Sequence, residues 1–270
     1  MRSLPSVLAA ALTAALIGVP ALPASAGGGD TPPTELVGKG TAIPLNNKAM
    51  ILDSKWGPVY SAGQQKSRLK VTVSGTDTIT LRDKGIDGWK PGREYFPRHC
   101  KKQRVKTGIK ATCTILSQFK DGMFVQIWPR LGNDRIDGRT LPSWVRFWVL
   151  TDKGDDTVWG GAGDDFVNGY TGDETVYGGD GNDWIRTGQD NDIVYGDGGD
   201  DEIIAGDGND EVHGGLGTDK AGGGPGSDEL WGNQGPDNIV CADGQDTTED
   251  DSADHTDGQC ETTAPDPALP

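Results

Sequence analysis

Between Thr151 and Val240 the chain repeats itself every nine residues, ten times, without losing phase. GGAGDDFVN (160–168), GGDGNDWIR (178–186) and AGDGNDEVH (205–213) display the pattern G-G-x-G-x-D-x-U-x most plainly, with U a bulky aliphatic residue. A unit this short cannot bury an apolar face alone, so successive units must stack into a solenoid. Glycines at positions 1, 2 and 4 permit a tight turn with positive φ and close backbone approach. Positions 7 to 9 then form a short strand whose alternation sends position 8 to one face and positions 7 and 9 to the other. Position 8 reads Val158, Val167, Val176, Ile185, Val194, Ile203, Val212, Ala221, Leu230 and Ile239, which marks it as the core.

Two units make one coil of 18 residues, so unit n stacks on unit n+2 at the ~4.8 Å strand spacing. Position 6 then forms two columns of acids. Asp156, Glu174, Asp192, Asp210 and Asp228 line one edge; Asp165, Asp183, Asp201, Asp219 and Asp237 line the other. Unit charges ~5 Å apart repel by roughly 0.8 kcal/mol even in bulk water. A hard divalent cation between stacked turns reverses that sign. Ca²⁺ takes six to eight oxygens, which carboxylates and turn carbonyls supply, whereas Mg²⁺ demands strict octahedral geometry and holds its water. The ten units imply up to about eight such sites, with affinities of ~10⁻⁴–10⁻³ M and folding coupled to binding. A disordered Gly/Asp-rich tract is the competing reading. It gives no reason for positions 6 and 8 to hold register through ten units.

These residues closely resemble the RTX, or haemolysin-type, calcium-binding repeats. The resemblance covers 151–240, with outlying units at 131–137 and 241–249. It implies an all-β fold, a right-handed parallel β-roll, in which the position 6 acids named above ligate calcium together with turn carbonyls. Three units depart from the pattern: Glu174 replaces Asp with Tyr170 at a glycine position, Asp190 replaces the position 4 glycine, and Ala221-Gly222 thins the core. Many members of the family leave the cell by an uncleaved C-terminal signal. This chain instead begins with an N-terminal one, which resembles the secreted, stand-alone type.

That leader consists of Arg2, the apolar run Val7 to Val19, and the small-residue site Ala24-Ser25-Ala26. No other apolar stretch reaches the length needed to span a bilayer. The expected organisation is a signal peptide over 1–26, a β-rich cap region over 27–150, the calcium-binding roll over 151–249, and an acidic end with a disordered tail over 250–270. A secreted, extracellular protein follows. Four cysteines suit that compartment. Cys100–Cys113 and Cys241–Cys260 are the favoured pairs of three possible connectivities, and a zinc site lacks C-x₂-C spacing.

Charge divides the chain. Residues 1–150 hold 22 Lys/Arg and 10 Asp/Glu, whereas 151–270 hold 3 and 31. Within the basic half, Leu69 to Val73, Thr78 to Leu81, Ala111 to Leu116 and Met123 to Trp128 read as strands, and Lys84 to Arg98 as a loop. Leu131 to Asp137 reads as an isolated repeat unit, and Gly75 to Ile79 as a fainter echo. A β-rich cap stacked on the solenoid is preferred to a free-standing sandwich.

No H-E-x-x-H and no G-x-S-x-G occurs, and His99, His213 and His255 are scattered, so no enzyme is expected. Position 9 of alternate units reads Trp159, Tyr177, Tyr195, His213 and Trp231, an outward column that either stacks on sugars or stabilises the sheet. Phe166 and Trp184 stand at position 7 of the opposite sheet. Arg98 to Lys106 is a dense cationic run and a candidate surface for cell-surface polysaccharide or another polyanion; a solvated hairpin is the plainer reading. Nucleic acid is not an expected partner, because no recognisable motif occurs.

Overall fold

The computed structural model describes residues 48–54, 57–63, 66–92, 96–119, 122–248, 254–257 and 259–262. The leader, residues 27–47 of the cap region, Glu249 and the last residues of the tail lie outside them. Among the described residues none is in an α-helix, and none forms a helix long and apolar enough to cross a membrane.

Two sheets carry the fold, one of 11 strands and one of 12. Their common part is a solenoid of parallel strands. In the first sheet Met123–Leu131, Val145–Lys153, Phe166–Asn168, Trp184–Gln189, Glu202–Asp207, Lys220–Gly222 and Asn238–Val240 follow one another. In the second, Arg135–Asp137, Thr157–Trp159, Thr175–Asp180, Ile193–Gly198, Glu211–Leu216, Glu229–Gln234 and Thr247–Thr248 do the same. The chain alternates between sheets at each turn, which is the β-solenoid the nine-residue period requires.

Parallel stacking begins upstream of the repeats. Gly57–Ser61 pairs in parallel with Met123–Leu131, and Arg68–Ser74 with Arg135–Asp137. Beyond these coils the sheets turn antiparallel. Lys48–Ser54 closes a hairpin on Gly57–Ser61, and Arg68–Ser74, Thr78–Asp83, Ile109–Thr114 and Cys100–Gln103 pair antiparallel in that order across the sheet. Gly75 to Ile79 is therefore no repeat unit: Gly75, at φ 63°, turns the hairpin between antiparallel strands. Cys100 and Cys113 are directly paired across the last two strands and joined by a disulfide; a second disulfide joins Cys241 to Cys260.

The core is two facing files of side chains. Ile127, Val149, Val167, Ile185, Ile203, Ala221 and Ile239 stack along the first sheet. Leu69, Ile136, Val158, Val176, Val194, Val212 and Leu230 stack along the second. All are buried. Each sizeable aliphatic contributes roughly 1.5–3 kcal/mol relative to exposure, so the files hold the coils together while the turns remain free to specialise. Ala221 keeps its place in register and supplies less.

Outside the second sheet, Trp159, Tyr177, Tyr195, His213 and Trp231 form one continuous stack, with ring centroids 4.5–6.0 Å apart and planes within 8°. Arg139 covers the free face of Trp159 at 5.1 Å. On the first sheet Phe124, Trp148, Phe166 and Trp184 pack in a second row at tilted angles.

Candidate metal centre

The turns between the two sheets carry the acids. Most residues at positions 2 and 4 adopt positive φ, which favours glycine there: Gly206 at position 2 has φ 132° and Gly199 at position 4 has φ 133°. Asp190, at a position 4 where glycine is the rule, adopts φ 81°, so the turn survives the substitution. Its carboxylate also accepts the Gly172 N–H at 3.1 Å, and a short polar side chain that bonds locally is the residue type that tolerates this region.

Each position 6 side chain turns inward and bonds to the coil before it. Asp183 N–H donates to Asp201 Oδ1 at 2.7 Å, Asp201 N–H to Asp219 Oδ1 at 2.8 Å, and Asp219 N–H to Asp237 Oδ1 at 2.8 Å. Asp165 N–H reaches Asp183 Oδ1 at 2.6 Å, and Phe147 N–H begins that ladder at Asp165 Oδ1. The opposite edge follows suit: Glu174 N–H to Asp192, Asp192 N–H to Asp210 and Asp210 N–H to Asp228, at 2.8–3.0 Å. Glu174 breaks the sequence, because its longer carboxylate accepts no backbone N–H. All ten residues, Asp156, Asp165, Glu174, Asp183, Asp192, Asp201, Asp210, Asp219, Asp228 and Asp237, are buried.

One oxygen of each aspartate in these ladders is thus occupied. The second oxygens of Asp183, Asp201, Asp210, Asp219 and Asp228 are buried and accept no hydrogen bond. Uncompensated burial of a carboxylate is costly, and the group responds by holding its proton. Burial first, and the neighbouring carboxylates after it, push Asp183 and Glu174 up to about 10 and Asp201 to about 8. Asp210, Asp219 and Asp228 are pushed to about 6, chiefly by burial.

Three of these unsatisfied oxygens lie beside a carbonyl oxygen of the next coil. A methyl group on Gly196 would collide both with Asp201 Oδ2 and with the carbonyl oxygen of Gly214, one coil on. Gly178 stands in the same relation to Asp183 Oδ2 and Gly196 O, and Gly214 to Asp219 Oδ2 and Gly232 O. At Gly178, Gly196 and Gly214 two oxygens already converge where a Cβ would sit; Thr151, Thr187 and Ala205 carry a Cβ at the same repeat position. Anionic and carbonyl oxygens only, from two stacked turns, make a donor set that fits a hard oxygen-seeking cation such as Ca²⁺ and gives nothing to a thiophilic metal.

A model of the RTX calcium-binding nonapeptide repeat matches in four copies, at residues 148–173, 168–203, 186–221 and 222–247. Residues 148–247 are RTX repeats. The RTX family implies calcium binding. No curated protein and no solved structure matches the chain.

The RTX ladders are longer than the ten acids the repeat pattern selects. Asp134 N–H donates to Asp156 Oδ1 at 2.7 Å, so Asp134 heads one ladder; Asp246 ends it, accepting from Asp228 N–H at 3.0 Å. Asp254 extends the other, accepting from Asp237 N–H at 3.1 Å, 17 residues on instead of 18. Asp134 and Asp246 stand at position 6 of the outlying units, whereas Asp254 is out of phase by one residue, so periodicity hides it.

Position 5, a free position in the motif, forms a second ladder of opposite sense. Asn182, Asn191, Asp200 and Asn209 accept N–H groups of Asp200, Asn209, Thr218 and Ser227 at 2.8–2.9 Å. The signal for it was present as a run of Asp, Asn, Thr and Ser at that position.

Proposed function

We propose that this is a secreted, non-enzymatic protein whose RTX roll binds several calcium ions between stacked turns and folds as it binds them. Asp156, Asp165, Glu174, Asp183, Asp192, Asp201, Asp210, Asp219, Asp228 and Asp237 are the proposed carboxylate ligands, joined by turn carbonyls such as those of Gly196 and Gly214. The observation that carries the reading is the file of buried carboxylate oxygens without donors, of which those of Asp183, Asp201 and Asp219 each converge with a carbonyl oxygen of the next coil. Calcium bound there supplies positive charge to a segment that carries 31 acids and 3 bases. Because the unfolded chain holds no such cradle, binding free energy becomes folding free energy. Export is supported by the leader at 1–26, and the absence of an enzymatic role by the missing hydrolase and metalloprotease motifs. Calorimetric titration with calcium, with ellipticity followed in parallel, tests the reading: several ions bound together with a gain of β structure support it, and an inert titration removes it.

A second reading, a binder of cell-surface polysaccharide or another polyanion on the same scaffold, draws on the cap. Lys70, Arg82 and Lys110 are direct cross-strand neighbours on the outward face of its antiparallel strands. Like charges directly opposite one another destabilise a sheet, and an anionic polymer relieves them. The aromatic stack supports this reading less, because its ring faces are covered by one another and by Arg139. Retention on a glycan array with and without chelator separates the two.

A further inference from the structure

The geometry points to one more cation site, upstream of the matched repeats, where the cap meets the roll: Asp134 is its ligand, and the bound cation fastens the cap strands to the first coil. The inference rests on the calcium reading above and extends it to a residue outside 148–247.

The turn before Asp134 stacks on the turn before Asp156 as one repeat stacks on another. Gly132 N–H donates to Lys153 O at 2.8 Å, and Thr157 N–H to Asp134 O at 2.9 Å. A methyl group on Gly154 would sit 2.5 Å from Gly132 O. Asp134 is fully buried, and its Oδ2 has no hydrogen-bond donor. This is the same unsatisfied oxygen that the repeats display, set in the isolated unit 131–137, upstream of the matched repeats.

What lies behind Asp134 differs. Its Oδ1 accepts the N–H of Ser67, which occupies the place of a position 6 residue but brings no carboxylate. Ser67 in turn donates its hydroxyl to Asp83. Asp83 also accepts the Tyr60 hydroxyl at 2.8 Å, Arg68 N–H at 2.9 Å and Gly85 N–H at 2.7 Å. Tyr60, Ser67, Asp83 and Asp134 are all 0% exposed. Asp83 is fully supplied with donors; Asp134 is the one carboxylate in the group with an oxygen to spare. A polar cavity opens beside it, lined by Asp155, Asp156 and Asp173 and rimmed by exposed Lys66, Arg68 and Arg135. The three bases lie in solvent, where screening weakens them, whereas the Asp134 carboxylate is buried. A cation held by Asp134 Oδ2 fixes the carboxylate whose other oxygen grips Ser67, and so fixes the strand Arg68–Ser74 that begins there.

The test uses the full chain with calcium chloride as the probe. Bound calcium is counted by equilibrium dialysis, and amide hydrogen exchange is measured with and without the metal. Asp134→Asn retains the acceptor for Ser67 and removes the charge. It is expected to bind one ion fewer, and strands 68–74 and 78–83 are expected to lose at least a ten-fold calcium-dependent protection that the wild type has. Asp201→Asn is expected to lose calcium within the roll yet keep calcium-dependent protection of the cap. Should Asp134→Asn fold poorly, exchange in the wild type and in Asp201→Asn still decides the matter. An unchanged calcium count in Asp134→Asn, or a wild-type cap equally protected with and without calcium, overturns the inference and leaves the roll sites standing. A wild type that binds no calcium at all overturns both.

Discussion

Asp183 donates its backbone N–H to Oδ1 of Asp201, one coil away, at 2.7 Å, and Asp201 Oδ2 stays buried with no donor. One oxygen of the side chain stitches the coils together, and the other is the one proposed to hold a cation. Asp201→Asn separates them, because the amide oxygen still accepts the N–H while the charge is gone. The variant is expected to hold more β structure than wild type without metal, where repulsion is relieved. It is expected to need roughly ten-fold more calcium to complete folding, a cost of about 1.4 kcal/mol. Far-ultraviolet circular dichroism across a calcium series measures both, and a variant that behaves identically in the two conditions contradicts the assignment.

Acid acts on the metal-free roll in the opposite direction to its effect on most proteins. The buried acids have folded values near 6 for Asp210, 8 for Asp201 and 10 for Asp183, all raised by burial from 3.8. A raised carboxylate means the folded state holds more protons, so stability falls as pH rises. Metal-free stability is fully present below about 3.8 and declines as pH passes through 6 to 10. With calcium present the trend reverses, because protons compete with the metal. Urea melts at pH 5 and pH 8, in chelator and in calcium, check the crossing; parallel pH trends in the two media would falsify it.

Gly196→Ala tests the cradle. Its methyl group meets Asp201 Oδ2 and Gly214 O, and overpacking of this kind typically costs about 1–3 kcal/mol. The calcium-loaded variant is expected to melt earlier than wild type. An unchanged melting temperature would mean that the oxygens do not converge there.

The aromatic stack carries stability of its own. Tyr195 lies between Tyr177 at 5.0 Å and His213 at 4.8 Å. Each aromatic pair is worth roughly 0.5–1.5 kcal/mol beyond its buried area, so Tyr195→Ala is expected to cost at least about 1–3 kcal/mol and Tyr195→Phe little. Thermal melts in saturating calcium compare them. Glycan retention lost in Tyr195→Ala with stability unchanged would instead make the column a binding face.

The roll was legible in the sequence because a nine-residue period dictates stacking, core and acid columns together. Glu174, Asp190 and Ala221 depart from the motif, yet each stands in register, since neighbouring coils impose the turn and the strand. The cap was legible only in part. Leu69 to Val73 and Thr78 to Leu81 alternate and form strands, but Val145–Lys153 lies where the sequence suggests an interruption. Its middle is an unbroken apolar run, Phe147, Trp148, Val149 and Leu150, because aromatic residues cover its outer face as well. Periodicity is silent on such a strand. Ser67 was invisible for another reason: it fills a position 6 place by its backbone, and no side-chain pattern announces that.

Calcium titration of the metal-free chain, read at once by calorimetry and circular dichroism, bears most directly on the claim that cations between the coils build this fold. The account expects several ions, about eight in the roll if each stacked pair of units takes one, to bind at ~10⁻⁴–10⁻³ M as β structure appears over the same range. A chain that is fully β-structured in excess EGTA at pH 8, and melts identically after calcium is added, contradicts it.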